Sequence, residues 1–120
     1  MILVDTSVWV DHLRRGDAAL AALLEASEVA AHPFVIGELA CGSLRPRSGV
    51  VQLLGELPSA TAASHDEVMQ FITARRLFGR GIGYVDAHLL ASAAIDGLLL
   101  WTRDKALGVA SGRLGLRFNP

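Results

Sequence analysis

The sequence predicts an α/β domain: a short, mostly parallel sheet covered by helices on both faces. Two observations carry this. Short apolar runs alternate with helical patterns along the whole chain, the arrangement of repeated strand–helix–strand units. The chain is also 120 residues long and 52% hydrophobic, enough for one core and too short for two ordinary domains, so residues 1–120 read as a single domain.

The elements follow in order. Met1 to Val4 is apolar and begins a buried strand that ends abruptly on Asp5. Asp5 reads either as the cap of a helix starting at Ser7 or as one wall of a site. Asp17 caps an amphipathic helix running to Ala26, with Leu20, Leu23 and Leu24 on one face. Glu28 to His32 is a second short strand, and Pro33 suits the first turn of a helix through FVIGELACGSL. Arg45 to Gly49 is a break, Val50 to Leu57 a short helix, and Pro58 to Ala63 an edge strand or loop. Ser64 and Glu67 form a capping-box pattern ahead of the apolar series Val68, Phe71, Ile72 and Phe78. Gly79 to Gly83 ends that helix, and YVDAHLLASAAID is the next, stopped by Gly97. Leu98 to Thr102 is the best interior strand; Asp104 to Ala110 is a short helix and Gly115 to Phe118 a last strand.

Composition excludes several classes. No apolar run reaches the roughly 18 residues of a spanning helix, and the first residues carry Asp5 and Asp11 where a signal peptide would carry basic residues. The one cysteine, Cys41, forms no internal disulfide and reads as a small core residue. A soluble, cytoplasmic protein with no membrane association is expected. Of 11 basic residues ten are Arg, the side chain that grips phosphate through a bidentate fork, against 12 acids for a net charge of −1. The four histidines leave room for a metal-free acid–base nuclease, although His88, two residues from Asp86, faces another side of its helix. Aromatic residues, 6% of the chain, form no stacking array in the sequence.

Four acids stand apart from the rest. Sheets of this kind bind ligands beyond the carboxyl ends of their strands, and Asp5 and Asp104 follow two strands. Glu38 and Asp86 occupy helix faces whose neighbours at i±3 and i±4 are apolar or glycine: Phe34, Val35, Cys41 and Gly42 for the first, Ile82, Gly83, Leu89 and Leu90 for the second. A lone carboxylate on such a stripe is costly to bury while charged and must be paired, protonated or bound to a cation. Each has an individual alternative: caps for Asp5 and Asp104, the helix dipole for Asp86, a buried ion pair for Glu38. Jointly they predict one oxygen-only site suited to Mg²⁺ or Mn²⁺. Two such ions, roughly 3.5 to 4 Å apart, activate water and stabilise a leaving oxygen, which predicts phosphodiester hydrolysis. Taking up four carboxylates leaves eight acids against eleven basic residues, a balance of +3. Arg75, Arg76 and Arg80 are the candidates for RNA-backbone contacts, although any one of them reads more readily as a solvated helix end.

These residues resemble the motifs of the PIN-domain ribonucleases, in particular the VapC-like toxins of prokaryotic toxin–antitoxin pairs. MILVDTSVWVD is similar to the first motif, VIGELACG to the second, GYVDAHLLASA to the third and LLLWTRDKAL to the fourth. The resemblance covers nearly the whole chain and rests on the order and spacing of the four. It implies a Rossmann-like three-layer α/β/α sandwich, an Mg²⁺- or Mn²⁺-dependent endoribonuclease, a homodimer and a small VapB-like antitoxin as partner. Asp5 and Asp86 would be the principal metal ligands, Glu38 and Asp104 ligands directly or through water, and Thr6 and Thr102 supporting hydroxyls. The competing class is a non-catalytic nucleic-acid-binding or interaction module with a structural metal site. The apolar excess has a destination in a dimer face or antitoxin groove, with Val8, Trp9, Leu13 and the helix from Val68 to Phe78 as candidates, core being the default.

Overall fold

In the computed structural model, which describes residues 1–43 and 47–120, three parallel strands form the sheet: β1 (Ile2–Val4), β2 (Val29–Ala30) and β3 (Leu99–Trp101). Their order is β2-β1-β3, with Ile2 opposite both Val29 and Leu99. Isolated parallel bridges, Ala31 to Ser59 and Leu100 to Arg117, extend it at either side. The chain therefore steps outward from β1 through β2 to Ser59, then returns across the sheet to β3 and Arg117. The strand order reverses between β1 and β3, and in a doubly wound sheet that reversal opens a crevice at the carboxyl ends.

The helices are α1 (Thr6–Arg15), α2 (Ala18–Glu25), α3 (Pro33–Cys41), α4 (Arg47–Glu56), α5 (His65–Ala74), α6 (Tyr84–Asp96) and α7 (Lys105–Arg113). Right-handed crossovers running in opposite directions along the sheet put the first four and the last three on opposite faces. In keeping with this, α1 packs on α3, α3 on α4 and α5 on α6. Between them lies a core built on Leu3, Trp9, Leu20, Leu39, Leu54, Leu89, Leu90, Leu100 and Leu107. Val8 and Trp9 belong to this core, and Leu13 packs against it half-buried. Among the described residues no helix is long and apolar enough to cross a membrane.

Local signals account for most boundaries. Asp17 accepts from the Leu20 N–H and caps α2, both halves of the Ser64–Glu67 capping box are made at α5, and Gly97 closes α6 at φ 67°. Where expectation and structure part, tertiary contacts explain it. The helix from Ser64 stops at Ala74 because Arg76 turns left-handed at φ 54°. Leu77 then drops into the core, and Phe78, expected on the helical stripe, is 67% exposed. Helix α4 begins at Arg47, inside the expected break; Leu44, Arg45 and Pro46 lie outside the described residues. Pro58 to Ala63 and Gly115 to Phe118 contribute one bridge each rather than full strands. Cys41 is exposed, not a core residue, because α3 turns that side outward.

Candidate active site

Asp5 stands at the N-cap position of α1, yet its side chain caps nothing. It is buried, and its Oδ2 instead accepts two hydroxyls, from Ser7 at 2.8 Å and from Thr102 at 2.7 Å. Those oxygens in turn accept backbone N–H groups of the loop after β3: Arg103 donates to Ser7 Oγ and Asp104 to Thr102 Oγ1, both at 3.0 Å. The carboxyl ends of β1 and β3, neighbours in the sheet, are thereby tied through one carboxylate oxygen.

The other acids are each held by one oxygen as well. Thr6 Oγ1 donates to Glu38 at 2.7 Å, the Gly83 N–H to Asp86 Oδ2 at 3.1 Å, and the Leu107 N–H to Asp104 Oδ2 at 2.8 Å. The cap expected of Asp104 is thus made, and Asp86 does serve its helix N-terminus. Both roles leave a second oxygen with no hydrogen-bond donor among the described residues. Glu38 departs from expectation, since its part of α3 faces outward and the side chain is exposed rather than pressed into an apolar stripe.

Electrostatics joins the four. Burial raises the Asp86 pKa, the Gly83 N–H opposes that, and the charges of Asp5, Asp104 and Glu38 raise it further. A carboxylate that feels three others stands in a field that favours a cation or a proton. Four carboxylates with unused oxygens are the donor type that hard divalent ions take. Among the described residues, however, no three His, Cys, Asp or Glu side chains converge closely enough to grip an ion as they stand. The set fits a divalent ion by the chemistry of its donors rather than by their present spacing; Glu38 and Asp104 are its exposed members.

Two features of the site went unread in the sequence. Ser7 is the second hydroxyl on Asp5, hidden in DTS behind its reading as a helix start. Arg103, between Thr102 and Asp104, reaches back to Asp11 on α1 at 2.6 Å and to Asp17, and lies 5.6 Å from the Trp101 ring. It clasps the β3 loop to the middle of α1 and to the N-cap of α2. Asp11 is the middle of an Arg15–Asp11–Arg103 chain. Of the three candidate arginines, Arg80 lines a cleft of about 540 Å³ with Asp104 and Lys105 and donates to the Arg76 carbonyl at 3.0 Å. Arg75 lines a different hollow, between α5 and α6, with Glu67, Phe71 and Ile95.

Comparison with known proteins agrees with this architecture. The PIN domain family model matches residues 2–112. Ribonuclease VapC32 of Mycobacterium tuberculosis, in strains CDC 1551 / Oshkosh and ATCC 25618 / H37Rv, is 51% identical over 117 residues, 97% of this chain and 94% of the relative. Among solved structures, PAE2754 from Pyrobaculum aerophilum superposes with a TM-score of 0.65 at 21% identity, covering 91% of this chain and 83% of that one. FitAcB from Neisseria gonorrhoeae gives 0.64 at 21%, covering 93% and 94%. At those identities the two structures speak for the fold alone.

Proposed function

The chain belongs to the PIN-domain family, and from that membership and the acidic cluster we propose that it is a metal-dependent endoribonuclease, the toxin of a type II toxin–antitoxin pair. The observation that carries the metal-dependent reading is the set of hydroxyl and N–H groups that hold each of the four acids by one oxygen; the charges of Asp5, Asp104 and Glu38 acting on Asp86 agree with it. Asp5 and Asp86 hold Mg²⁺ or Mn²⁺, with Glu38 and Asp104 as further ligands, directly or through water. A bound divalent ion supplies an acidified water and a counter-charge for the phosphodiester oxygens.

The chain's own groups prepare that chemistry. Ser7 and Thr102 fix one oxygen of Asp5 and so aim the other, and Thr6 does the same for Glu38. Arg103 holds the Thr102–Asp104 loop against α1. Arg80 and Lys105, beside Asp104 in the same cleft, take the RNA backbone through charge, a contact that adds affinity without reading sequence. Cleavage by water leaves the ribose 2′-hydroxyl unused as nucleophile. The cytoplasm, a homodimer and a VapB-like antitoxin complete the reading, whose ribonuclease part has support in the relative's name, Ribonuclease VapC32.

The test is cleavage of single-stranded and structured RNA with Mg²⁺, with Mn²⁺ and with chelator, for the wild type, Asp5→Asn and Asp86→Asn. Each variant is expected to lose on the order of 100-fold or more in rate, at least what removing a ligand's support costs. Undiminished cutting in chelator would sink the metal mechanism, and wild-type rates in both variants would sink the site. A folded wild type that binds RNA and cuts none would point to a binding module.

A further inference from the structure

The fold assembles a row of rings that the sequence scatters. His88 lies 4.6 Å from Phe34 and 4.5 Å from Tyr84, centroid to centroid; His32 lies 5.3 Å from Phe34, and His65 lies 5.6 Å from Tyr84. They come from the starts of α3, α5 and α6. None of the contacts is a parallel stack, their interplanar angles running from 47° to 82°.

Burial divides the row into a wall and a surface. His32 and His88 are buried, while Phe34 and Tyr84 are 37% and 43% exposed. The wall is locked: His32 Nδ1 accepts the Phe34 N–H at 3.0 Å and its Nε2 lies 3.1 Å from Ser92 Oγ on α6, and Tyr84 Oη lies 2.6 Å from His65 Nδ1. Neither ring nitrogen of His88 has a partner among the described residues. Burial lowers the pKa of His32 to about 4, so near neutral pH that ring is uncharged.

Phe34 is one helical turn before Glu38 on the same face of α3, which sets the row at the edge of the acidic cluster, while Tyr84 opens α6 two residues ahead of Asp86 and turns to the His88 side of that helix. Two partly exposed aromatic rings beside carboxylates that would act on a phosphodiester match a nucleobase, whose π-face stacks on aromatics whatever its identity. The same rings make a poor protein interface by themselves, because a stable one covers about 800 Å² per partner.

We propose that Phe34 and Tyr84, braced by His88, form a stacking subsite for an unpaired base next to the scissile phosphodiester of single-stranded RNA. This rests on the ribonuclease reading and adds to it what the site grips besides phosphate. A base inside a duplex cannot present its face, so the subsite selects unpaired segments.

The experiment uses the full chain and a fluorescein-labelled single-stranded RNA of mixed sequence, with its duplex as control and Ca²⁺ in place of Mg²⁺. Phe34→Leu and Tyr84→Leu keep apolar bulk and remove the ring; each is expected to weaken single-strand binding about tenfold and leave duplex binding unchanged. Phe34→Trp provides a direct readout. Both native tryptophans are buried, Trp9 at 1% and Trp101 at 3% exposure, so the new indole is the accessible one, and single-stranded RNA should quench it where the duplex does not. Unquenched emission with RNA bound would overturn the subsite. So would unchanged single-strand affinity in both leucine variants, and if those variants instead lose a co-expressed antitoxin the face belongs to a protein partner. A wild type that neither binds nor cuts RNA would refute the ribonuclease reading, and the subsite with it.

Discussion

Acidification should destabilise this protein through His32. The residue is fully buried at the N-cap of α3, where Nδ1 accepts the Phe34 N–H, so the neutral ring carries its proton on Nε2, toward Ser92. Charging the ring places a proton on Nδ1 and breaks the cap. Burial, with a smaller contribution from the charge of His88, lowers its pKa from 6.5 to about 4. The unfolded chain therefore takes up the proton first. Stability from this residue is complete above about pH 6.5 and is lost as pH falls toward about 4, because the unfolded state binds more protons across that window. A gap of about 2.5 units is worth about 3 kcal/mol, a large share of the roughly 5–15 kcal/mol that holds a domain together. Urea unfolding followed by circular dichroism, in steps from about pH 7 to about pH 4, measures it. His32→Asn is the matched variant, because Asn keeps an acceptor at a cap position it favours and does not titrate. His88, also depressed by burial, contributes to both proteins. Parallel curves for wild type and variant across the window would refute the argument.

Further outcomes follow from the same contacts. Because Asp86 has a raised pKa, its ionisation costs stability as pH rises through that value in the metal-free protein; Asp86→Asn should raise the metal-free melting temperature and shrink the rise produced by Mg²⁺, both read by thermal scanning. An equal Mg²⁺ response in the variant would count against Asp86 as a ligand. Arg103→Ala removes the ion pairs to Asp11 and Asp17 from a side chain 36% exposed, a loss of about 1 kcal/mol in denaturant, with cleavage falling further than stability because Thr102 and Asp104 flank it. Arg103→Lys should recover only part, since an ammonium does not span two carboxylates as a guanidinium fork does. Ser64→Ala opens half of the capping box and should cost about 1 kcal/mol with no change in cleavage rate.

The parts of the fold that were legible in the sequence are those set by neighbours in the chain. Asp17, the Ser64–Glu67 pair, Pro33 and Gly97 act within a turn of themselves, and the helices they bound are where they were expected. The parts that were not legible depend on what packs from elsewhere. Phe78 has the right period for α5, but Arg76 reverses the backbone and Leu77 takes the buried place. Gly115 to Phe118 has strand character and meets only the outer edge of β3, where a single bridge forms. Glu38 has apolar neighbours on its helix, yet α3 turns that side to solvent.

By itself the sequence determined an alternating α/β chain and four acids, two just after strands and two on helix faces, because apolar periodicity and capping chemistry are local. Only the tertiary structure decided that the strand order reverses between β1 and β3, which puts the Asp5 and Thr102 side chains 2.7 Å apart across 97 positions. It likewise decided that Arg103 closes on α1 and that Phe34, His88 and Tyr84 meet beside the acids. Each of these joins segments remote in the chain, and which faces meet is chosen by packing the whole core at once rather than by any residue's own preference.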